Sequence, residues 1–469
     1  MSVAYVEVKE THAAAIFLIG DRAYKVKKPV DLGFLDFSTY ARRRAAIDDE
    51  LALNRRLAPD VYLGVSDVTD VDGLPMERLL VMRRMPEDRR LAHLVRSGTD
   101  VREELRGVAE LLAGFHERCG RGPEIDVDGT VEALRRRWRA NLEAARPFVG
   151  TALDPSTYDE VAALVESYLD GRSALFEARL AEGAVVDGHG DLHADDIFLL
   201  DDGPKILDCL EFDEHLRHLD RLDDVCALAM SLEWLDAPEA AGALLDAYRA
   251  AAGDRAPESL VHHFIAYRAF VRSLVACLPG ASDPDSAADL LALAHRHLRQ
   301  ARLRLVLVGG APGTGKTTVA RGLGEARGWT VLRSDETRKA LAGLDSQTSA
   351  SAADGEGIYT SDWTRRTYEE LIRKAEGLLT LGESVILDAS WSEAAWRSQA
   401  ATLAARTSSE LIEMMCVAPE GVAAERIDRR RGGRLRCRSR RGRGDARSLR
   451  RLAERGGRGH GPTTCSHPR

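Results

Sequence analysis

The start of the chain alternates between short apolar runs and polar residues, a pattern that predicts strands. Residues 13–20 (AAAIFLIG) and 23–28 (AYKVKK) are apolar-rich, and the Gly-Asp-Arg between them is typical of the turn of an antiparallel hairpin. Residues 61–85 also predict strand. Over residues 41–59, apolar residues recur at helical spacing until a proline ends the run, which predicts a helix between the strands.

The pattern becomes helical at about residue 100. Long amphipathic helices are predicted at 101–119, 131–145 and 158–180. Short β-like runs interrupt them at about 184–212, and helices resume over 220–303, with an exposed turn at Pro279-Gly280.

A second pattern begins at Leu303. The continuous apolar run LRLVLVGG leads through a Gly-rich loop into a helix, and the runs WTVLRSD and ESVILDAS follow. Strands that alternate with helices predict a parallel sheet. The sequence therefore predicts a multidomain chain of mixed α/β and α+β class, with a domain boundary near residue 300.

Composition and charge narrow the class of protein. With 469 residues, 44% of them hydrophobic, the chain is long enough for about three domain-sized units, which excludes a disordered protein or a small disulfide-stapled scaffold. A net charge of -8 argues against a generic polyanion binder. The seven cysteines include no CxxC pair, and no apolar run approaches membrane-spanning length. We expect a cytoplasmic protein with reduced thiols and no membrane partner.

The C-terminal segment has a different composition. Residues 427–469 contain 15 Arg, no Lys and three acidic residues, so they carry +12 and leave -20 on residues 1–426. This segment lacks the apolar periodicity of an ordinary core. Three interpretations are open: a disordered basic arm, a nucleic-acid-binding patch, or a GC-rich gene read out of frame beyond about residue 430.

Acidic residues surround an HGD motif between two predicted strands. The loop runs from His189 to Asp196, and Asp208 follows on the next strand. Phosphoryl transfer needs a carboxylate that orients the attacking hydroxyl and oxygen ligands for Mg²⁺ on the nucleotide. This spacing supplies a catalytic base at Asp191 and metal ligands at Asp196 and Asp208. The alternative is a polar turn with solvated acids.

These residues resemble the signature of the aminoglycoside phosphotransferase family, two-lobed relatives of the protein kinases. By this resemblance, Lys25 in AYKVKKP is the nucleotide-binding lysine, with Lys27 as the alternate, and Glu50 is its ion-pair partner. LLVMRRMP resembles the hinge that holds adenine, and LLAGFHERC resembles the family's Leu-Ala-x-x-His helix. Asp196 stands where the family usually has Asn. No Gly-rich phosphate cover precedes Lys25, so residues 10–15 (ETHAAA) are the candidates for that role.

A second motif fits the phosphate-binding loop GxxxxGK[ST], and it follows a predicted buried strand and opens a helix. Its glycines let backbone N–H groups point at a phosphate, Lys316 neutralises the transferred charge, and Thr317 ligates Mg²⁺. The alternative is a Gly-rich turn with a chance lysine. The predicted nucleotide-binding residues are Gly310, Ala311, Pro312, Gly313, Thr314, Gly315, Lys316, Thr317 and Thr318.

Further polar residues follow the next strands. Asp335 and Arg338 end one predicted strand and Asp388 ends another, and the carboxyl ends of parallel strands converge on the phosphate loop. Asp335 is predicted to orient or deprotonate a substrate hydroxyl and Arg338 to hold the substrate. Asp388 resembles the metal-binding Walker B acid or the neighbour of that acid. Each could instead cap a helix. Arg426 and Arg430, one turn apart, are predicted to stabilise the transferred phosphoryl group; a solvated basic face is the alternative.

This half resembles small-molecule and zeta-toxin-like P-loop kinases, often labelled AAA family ATPases. The order of the two halves resembles the bacterial bifunctional aminoglycoside phosphotransferase/ATP-binding proteins, which implies ATP and Mg²⁺ as cofactors. The predicted domains are a kinase-like N-lobe at 1–88, a helical kinase-like C-lobe at 89–300, a P-loop kinase or ATPase domain at 301–430 and an Arg-rich tail at 431–469.

The predicted activity is transfer of the ATP γ-phosphoryl group to a hydroxyl of a small molecule, at one site in each half. A nucleotide-binding regulatory protein and a nucleic-acid-directed or toxin-like kinase are the alternatives; nucleic acid is not the expected partner, and the oligomeric state is open. One cluster could form an acidic pocket for a cationic substrate or an ordinary solvated face: Asp213, Glu214, Asp220, Asp223 and Asp224.

Overall fold

A computed structural model describes residues 6–10, 13–31, 36–278, 283–345, 358, 360–419 and 421–426, and the backbone of residues 463–465. The chain divides into two units. The first comprises Met1–Ala163, Phe176–Ala256 and Leu260–Gln300. The second comprises Leu164–Leu175, Pro257–Ser259 and Ala301–Arg469.

The first unit opens with a five-stranded antiparallel sheet. Its strands are β1 (Glu7–Glu10), β2 (Ala14–Ile19), β3 (Arg22–Lys27), β4 (Tyr62–Thr69) and β5 (Pro75–Arg83), in the spatial order β1-β2-β3-β5-β4. The predicted hairpin joins β2 to β3 through Gly20, whose φ of +60° suits a residue without a Cβ. Helix α1 (Tyr40–Asn54) packs on β4 and β5; it ends earlier than predicted because the chain turns at residues 55–57, before the proline.

Helices dominate from residue 91 to 301, as predicted. They are α2 (Leu91–Arg96), α3 (Arg102–Arg118), α4 (Pro123–Asp126), α5 (Val131–Ala145), α6 (Pro155–Asp170), α7 (Ser173–Ala181), α8 (Arg221–Trp234), α9 (Pro238–Ala252), α10 (Glu258–Cys277) and α11 (Ala287–Ala301). The predicted helix over 158–180 is two helices, since Gly171 interrupts it and glycine is unfavourable inside a helix. The turn predicted at Pro279-Gly280 lies outside the described residues.

Two short antiparallel pairs lie among these helices. Strand β6 (Val185–Asp187) pairs with β9 (His218–Asp220), and β7 (Ile197–Leu200) pairs with β8 (Gly203–Ile206). The HGD loop follows β6 and leads into β7, and Asp208 lies just beyond β8. The two pairs therefore hold both ends of the predicted catalytic segment.

The second unit contains the predicted parallel sheet. Its strands are β10 (Arg304–Gly309), β11 (Thr330–Arg333), β12 (Val385–Asp388), β13 (Glu410–Cys416) and β14 (Thr463–Cys465), in the order β11-β12-β10-β13-β14. Its helices are α12 (Lys316–Arg327), α13 (Ser334–Leu341), α14 (Ser361–Thr380) and α15 (Ala394–Arg406). Strand β13 was not predicted, since acidic residues interrupt its apolar run.

Both faces of this sheet are covered. Leu305 and Leu307 of β10 belong to one buried cluster, whereas Val306 and Val308 belong to the cluster on the opposite face. The continuous apolar run of β10 is explained by this double burial, because successive side chains of a strand point to opposite faces.

Two further expectations concern thiols and membranes. The described cysteines, Cys119, Cys209, Cys226, Cys277 and Cys416, are free thiols. Among the described residues, no helix combines the length and the apolar character needed to cross a bilayer. Apart from the short strand β14, the Arg-rich tail at 431–469 lies outside the described residues.

Candidate functional site

The first candidate site is built on a lysine pair of β3. Lys25 and Lys27 lie on one face of the strand because side chains alternate. Lys25 Nζ lies 2.7 Å from Glu50 Oε1 of α1 and 2.8 Å from Asp208 Oδ1. Lys27 Nζ lies 2.7 Å from the other Glu50 oxygen and also pairs with Glu211. The fully buried Glu50 thus holds both lysines, and Lys25 is the one paired with the predicted metal ligand.

The charges around Lys25 and Asp208 keep both side chains ionised. Burial alone would lower the pKa of Lys25, but the charges of Asp208, Glu50 and Glu211 outweigh it and hold that pKa well above its usual value. In turn, the Lys25 charge lowers the pKa of Asp208. The ammonium and the carboxylate therefore form a charged pair at neutral pH.

Asp208 has a backbone conformation that is unusual for a residue with a Cβ. Its φ of +63° lies in the left-handed region. The backbone N–H of Asp208 donates to the Tyr62 hydroxyl at 3.1 Å, and the N–H of Cys209 donates to Asn54 Oδ1 at 2.9 Å. Contacts from the sheet and from α1 thus hold a strained residue, as is common at functional sites.

The two lysines are expected to respond differently to removal of their charge. Lys25→Met should reduce phosphotransfer at the first candidate site at least about 100-fold, since it removes a preorganised positive charge beside Asp208. Lys27→Met should mainly lower thermal stability, because Glu211 loses its paired lysine and the buried Glu50 keeps only Lys25 as a partner. Initial rates and melting curves of both variants would check this, and equal losses of activity would contradict it.

The HGD loop is held by a carboxylate beneath it. Asp224 of α8 is fully buried, and its two oxygens accept the backbone N–H of His189 at 2.7 Å and that of Gly190 at 3.0 Å. His116 Nε2 of α3 lies 3.1 Å from the same carboxylate. Gly190 has φ of +90°, and a Cβ there would lie 3.1 Å from Arg217 Cγ, so the turn favours glycine.

Asp191 projects from this loop with 46% of its side chain exposed. Its Oδ1 lies 2.7 Å from His193 Nε2, and Arg272 lies 4.0 Å from Oδ2. Burial would raise the pKa of Asp191, but the charge and hydrogen bond of His193 together with Arg272 and Arg268 outweigh it and lower that pKa. Asp191 is therefore an ionised carboxylate that can accept a hydrogen bond from a hydroxyl.

Asp196 ends a 3₁₀ turn at residues 194–196. Burial and the negative charges of Asp208, Asp191 and Asp195 raise the pKa of Asp196 well above its usual value, against the opposing charge of Arg90. Crowded carboxylate oxygens of this kind are the donors that Mg²⁺ prefers. Asp196 and Asp208 are therefore chemically suited to hold it.

Three residues of the acidic cluster at 213–224 are buried and paired. Asp220 Oδ1 lies 2.7 Å from Arg179 Nη2, and Asp223 Oδ1 accepts from Arg268 Nε at 2.7 Å. Arg268 also donates to the Gly190 carbonyl at 2.7 Å. Neither alternative, an acidic pocket or a solvated face, fits Asp220, Asp223 and Asp224, because these three carboxylates are buried and satisfy buried groups. Arg268 was not predicted, and its partners are far away in sequence.

The structure places residues of the predicted adenine hinge and some of those proposed as a phosphate cover. Met82, at the end of β5, belongs to the sheet core, and Met85 and Leu207 pack against that core. Of the residues 10–15 proposed as a phosphate cover, Thr11 and His12 lie outside the described residues.

The second candidate site is the loop between β10 and α12. Gly310, Gly313 and Gly315 have φ of +147°, +85° and +99°, conformations that require glycine. Thr317 Oγ1 donates to Asp388 Oδ2 at 2.6 Å, because parallel pairing sets Asp388 beside Val308. The buried Asp388 Oδ1 has no hydrogen-bond partner among the described residues. A buried carboxylate oxygen beside a loop threonine fits a Mg²⁺ ligand.

Of the other residues predicted for this site, one reaches the phosphate loop and two lie on a neighbouring helix. A Cβ built at Gly315 would lie 3.6 Å from Arg426 Nη1, so this arginine reaches the loop, whereas Arg430 lies outside the described residues. Asp335 and Arg338 were predicted at the end of a strand, but β11 ends at Arg333 and both residues lie on α13, where Asp335 pairs with Lys339 at 2.9 Å.

Residues that were not predicted support the loop from β12. The backbone N–H of Gly310 donates to the Ser390 carbonyl at 3.2 Å. Ser390 Oγ lies 3.0 Å from the Tyr368 hydroxyl, which also accepts the N–H of the buried Trp391 at 3.2 Å. Arg333 Nε lies 3.5 Å from Asp388 Oδ2. Ser390 and Trp391 could have been proposed from the sequence, because they follow the strand run VILD. The contact with Tyr368 could not, because it depends on the fold.

A side chain at Gly310 should abolish nucleotide binding by the loop. In Gly310→Ala, the Cβ would lie 2.7 Å from both the Cys416 carbonyl oxygen and Thr314 Oγ1. We expect ATP binding to fall from two molecules per chain to one, as measured by equilibrium dialysis. Gly322→Ala, in α12 where a Cβ meets nothing within 4 Å, should keep two and stabilise the helix by about 1 kcal/mol. Two bound ATP in Gly310→Ala would contradict the assignment.

Comparison with known proteins identifies the family. The uncharacterized protein Rv2004c of Mycobacterium tuberculosis (strain H37Rv) is 43% identical over 433 residues, which are 92% of this chain and 87% of the mycobacterial protein. The chain belongs to the family of this protein. The sequence pattern of the AAA domain family AAA_33 matches residues 305–452 of this family member, the region of the P-loop sheet.

Two solved structures are each similar to this chain over part of its length. The GDP complex of aminoglycoside 2'-phosphotransferase-IIIa is 16% identical, and the alignment covers 64% of this chain and 94% of that chain with a TM-score of 0.39. A gluconokinase from Sinorhizobium meliloti 1021 is 20% identical, covering 36% of this chain and 84% of that chain with a TM-score of 0.25. The predicted fold class is confirmed, since an antiparallel sheet with helices is followed by a parallel sheet, and the AAA_33 match confirms the predicted P-loop domain.

Proposed function

We propose that the chain is a cytoplasmic enzyme with two ATP- and Mg²⁺-dependent sites that transfer the γ-phosphoryl group of ATP to hydroxyl groups of small molecules. The observation that carries the proposal is the contact of Lys25 with both Glu50 and Asp208, close to the ionised Asp191. This arrangement combines a phosphate-binding cation, metal-binding carboxylates and a base in one site, which are the parts that phosphoryl transfer needs.

In the first domain, Asp191 accepts a hydrogen bond from the acceptor hydroxyl and aligns its oxygen with the γ-phosphorus. Because the pKa of Asp191 is lowered, the carboxylate is ionised before reaction and takes the proton of the hydroxyl as the new O–P bond forms. In the same step the bond between the γ-phosphorus and the β–γ bridging oxygen breaks, and ADP leaves. Lys25 neutralises charge on the ATP phosphates. Asp196 and Asp208 would hold Mg²⁺, which supplies further positive charge to the phosphates when bound.

In the second domain, the N–H groups of the loop and Lys316 bind the phosphates of a second ATP. Thr317 and Asp388 would hold the accompanying Mg²⁺. Arg426 reaches the loop beside Gly315, where its charge can stabilise the phosphoryl group in transfer. Asp335 and Arg338 are the candidates for orienting the acceptor.

A second candidate function is nucleotide-dependent regulation without efficient transfer in the first domain. It is favoured by the acid at position 196, since Asp196 adds negative charge close to Asp191 and Asp208, where ATP phosphates would bind. A nucleic-acid-directed kinase is not proposed, because its support is the Arg-rich tail, most of which lies outside the described residues.

The test is product formation by the full chain with ATP and Mg²⁺ and a panel of aminoglycosides, sugars, choline and nucleosides. Mass spectrometry would detect phosphorylated acceptor for the wild type, Asp191→Asn and Lys316→Ala. Product lost only in Asp191→Asn assigns the reaction to the first domain, and product lost only in Lys316→Ala assigns it to the second. ATP binding without product for any acceptor would favour regulation over catalysis.

A further inference from the structure

Among residues that belong to neither candidate site, a carboxylate and two histidines converge in the first unit. Asp128 Oδ2 lies 2.8 Å from His215 Nδ1 and 3.0 Å from His218 Nδ1. All three atoms lie within 4.8 Å of one another. Four ligands at about 2.0–2.2 Å from a tetrahedral ion are separated by about 3.3–3.6 Å, so small side-chain rotations suffice to enclose an ion here.

The backbone around these ligands is held independently of any ion. Arg137 Nη2 of α5 donates to the carbonyl oxygens of His215 and His218, each at 2.9 Å. Gly129, next to the carboxylate, packs so closely that a Cβ would lie 2.3 Å from Val185 Cγ2. Ligands that are supported in this way lose little conformational entropy when a metal binds.

The cluster opens to solvent on one side. The side chains of Asp128 and His218 are 13% and 10% exposed, whereas that of His215 is 65% exposed. An ion can therefore enter beside His215, and water can complete its coordination.

The ligand atoms select the kind of ion. Two imidazole nitrogens and one carboxylate oxygen suit Zn²⁺ and similar transition metals, whereas Mg²⁺ prefers oxygen ligands alone. Arg137 Nη2 lies 3.7 Å from Asp128 Oδ1, which leaves Oδ2 for the ion. The arginine charge lowers the affinity, so we expect micromolar rather than tighter binding.

We propose that Asp128, His215 and His218 form a binding site for a divalent transition-metal ion of the zinc type, with water as a further ligand. The site is separate from the two nucleotide sites and takes a different class of metal. It ties the turn at residues 214–216 and strand β9 to the turn at residues 127–129.

The site lies next to contacts that support the HGD loop. Arg217, between the two histidines, donates from Nε to Asp187 Oδ1 at 2.8 Å, and its carbonyl accepts the N–H of Gly188 at 2.9 Å. A bound ion therefore stabilises a segment that contacts the start of the catalytic loop. We expect saturating Zn²⁺ to raise the melting temperature of the first unit.

The test uses the full chain, stripped with a chelator and titrated with Co²⁺ in excess Mg²⁺. Wild type should develop the visible absorption bands of low-coordinate Co²⁺, and Zn²⁺ should displace them. His215→Ala, at an exposed position, should lose the bands and bind at least about tenfold more weakly. His93→Ala, an exposed histidine elsewhere on the first unit, should behave like the wild type.

Two results would overturn the proposal: wild type that develops no bands at saturating Co²⁺, or His215→Ala that binds Co²⁺ as the wild type does. Asp128→Asn replaces the carboxylate ligand with an uncharged amide of nearly the same shape, and it should also weaken Co²⁺ binding. Melting curves of the metal-free variants establish that each is folded. The two nucleotide sites share none of these residues, so failure here leaves the proposed phosphotransfer untouched.

Discussion

Asp191→Asn is expected to lower phosphotransfer by the first domain by about 100- to 10,000-fold. The amide keeps the size of the side chain but cannot accept the hydroxyl proton. It also removes the negative charge that pairs with His193 at 2.7 Å and faces Arg272 at 4.0 Å. Single-turnover rates with saturating ATP would measure the loss, since they separate the chemical step from binding.

A neighbouring acid on the same loop provides the control. Asp195 is exposed, and its carboxylate lies 3.6 Å from Arg96. Asp195→Asn should therefore leave the rate nearly unchanged, and both variants should bind ATP as the wild type does. A comparable fall in rate for the two variants would mean that the overall negative charge of the loop matters, and that Asp191 is not a specific base.

Asp224→Ala is expected to reduce the free energy of unfolding of the first unit by about 3–5 kcal/mol. The substitution leaves the buried N–H groups of His189 and Gly190 and the ring of His116 without their common acceptor. Because two of these groups belong to the HGD loop, phosphotransfer should be lost as well, even below the melting temperature.

Denaturation with urea, followed by far-ultraviolet circular dichroism, would measure this change. Asp159→Ala, on the exposed face of α6, is the matched control and should unfold like the wild type. Asp224→Asn should have an intermediate stability, since its amide oxygen still accepts one N–H. If Asp224→Ala were as stable as the control, the carboxylate would not be the support of the loop that its contacts imply.

Residues linked by local geometry were the easiest to predict. In the P-loop, the turn glycines, Lys316 and Thr317 occupy fixed positions between a strand and a helix, so motif and structure coincide. Asp388 was also predicted, because a carboxyl end of a parallel strand faces the loop. Its hydrogen bond with Thr317 at 2.6 Å follows from strand pairing.

Residues joined across long stretches of chain were predicted poorly. Asp223 and Asp224 look like part of a solvated acidic run, yet one pairs with Arg268 and the other accepts N–H groups of the HGD loop. Burial and the presence of a partner decide whether a carboxylate is a surface charge or a structural acceptor, and neither property is local in sequence.

The two motifs, the order of the two halves and the alternation of strands and helices could be predicted from the sequence, because each depends on residues close together along the chain. Tertiary structure decided which lysine of β3 reaches Asp208, which acids are buried, and that Asp128 meets two histidines 87 and 90 residues away. Those outcomes depend on side chains that only folding brings within hydrogen-bond distance, where burial strengthens each interaction and makes an unpaired charge costly.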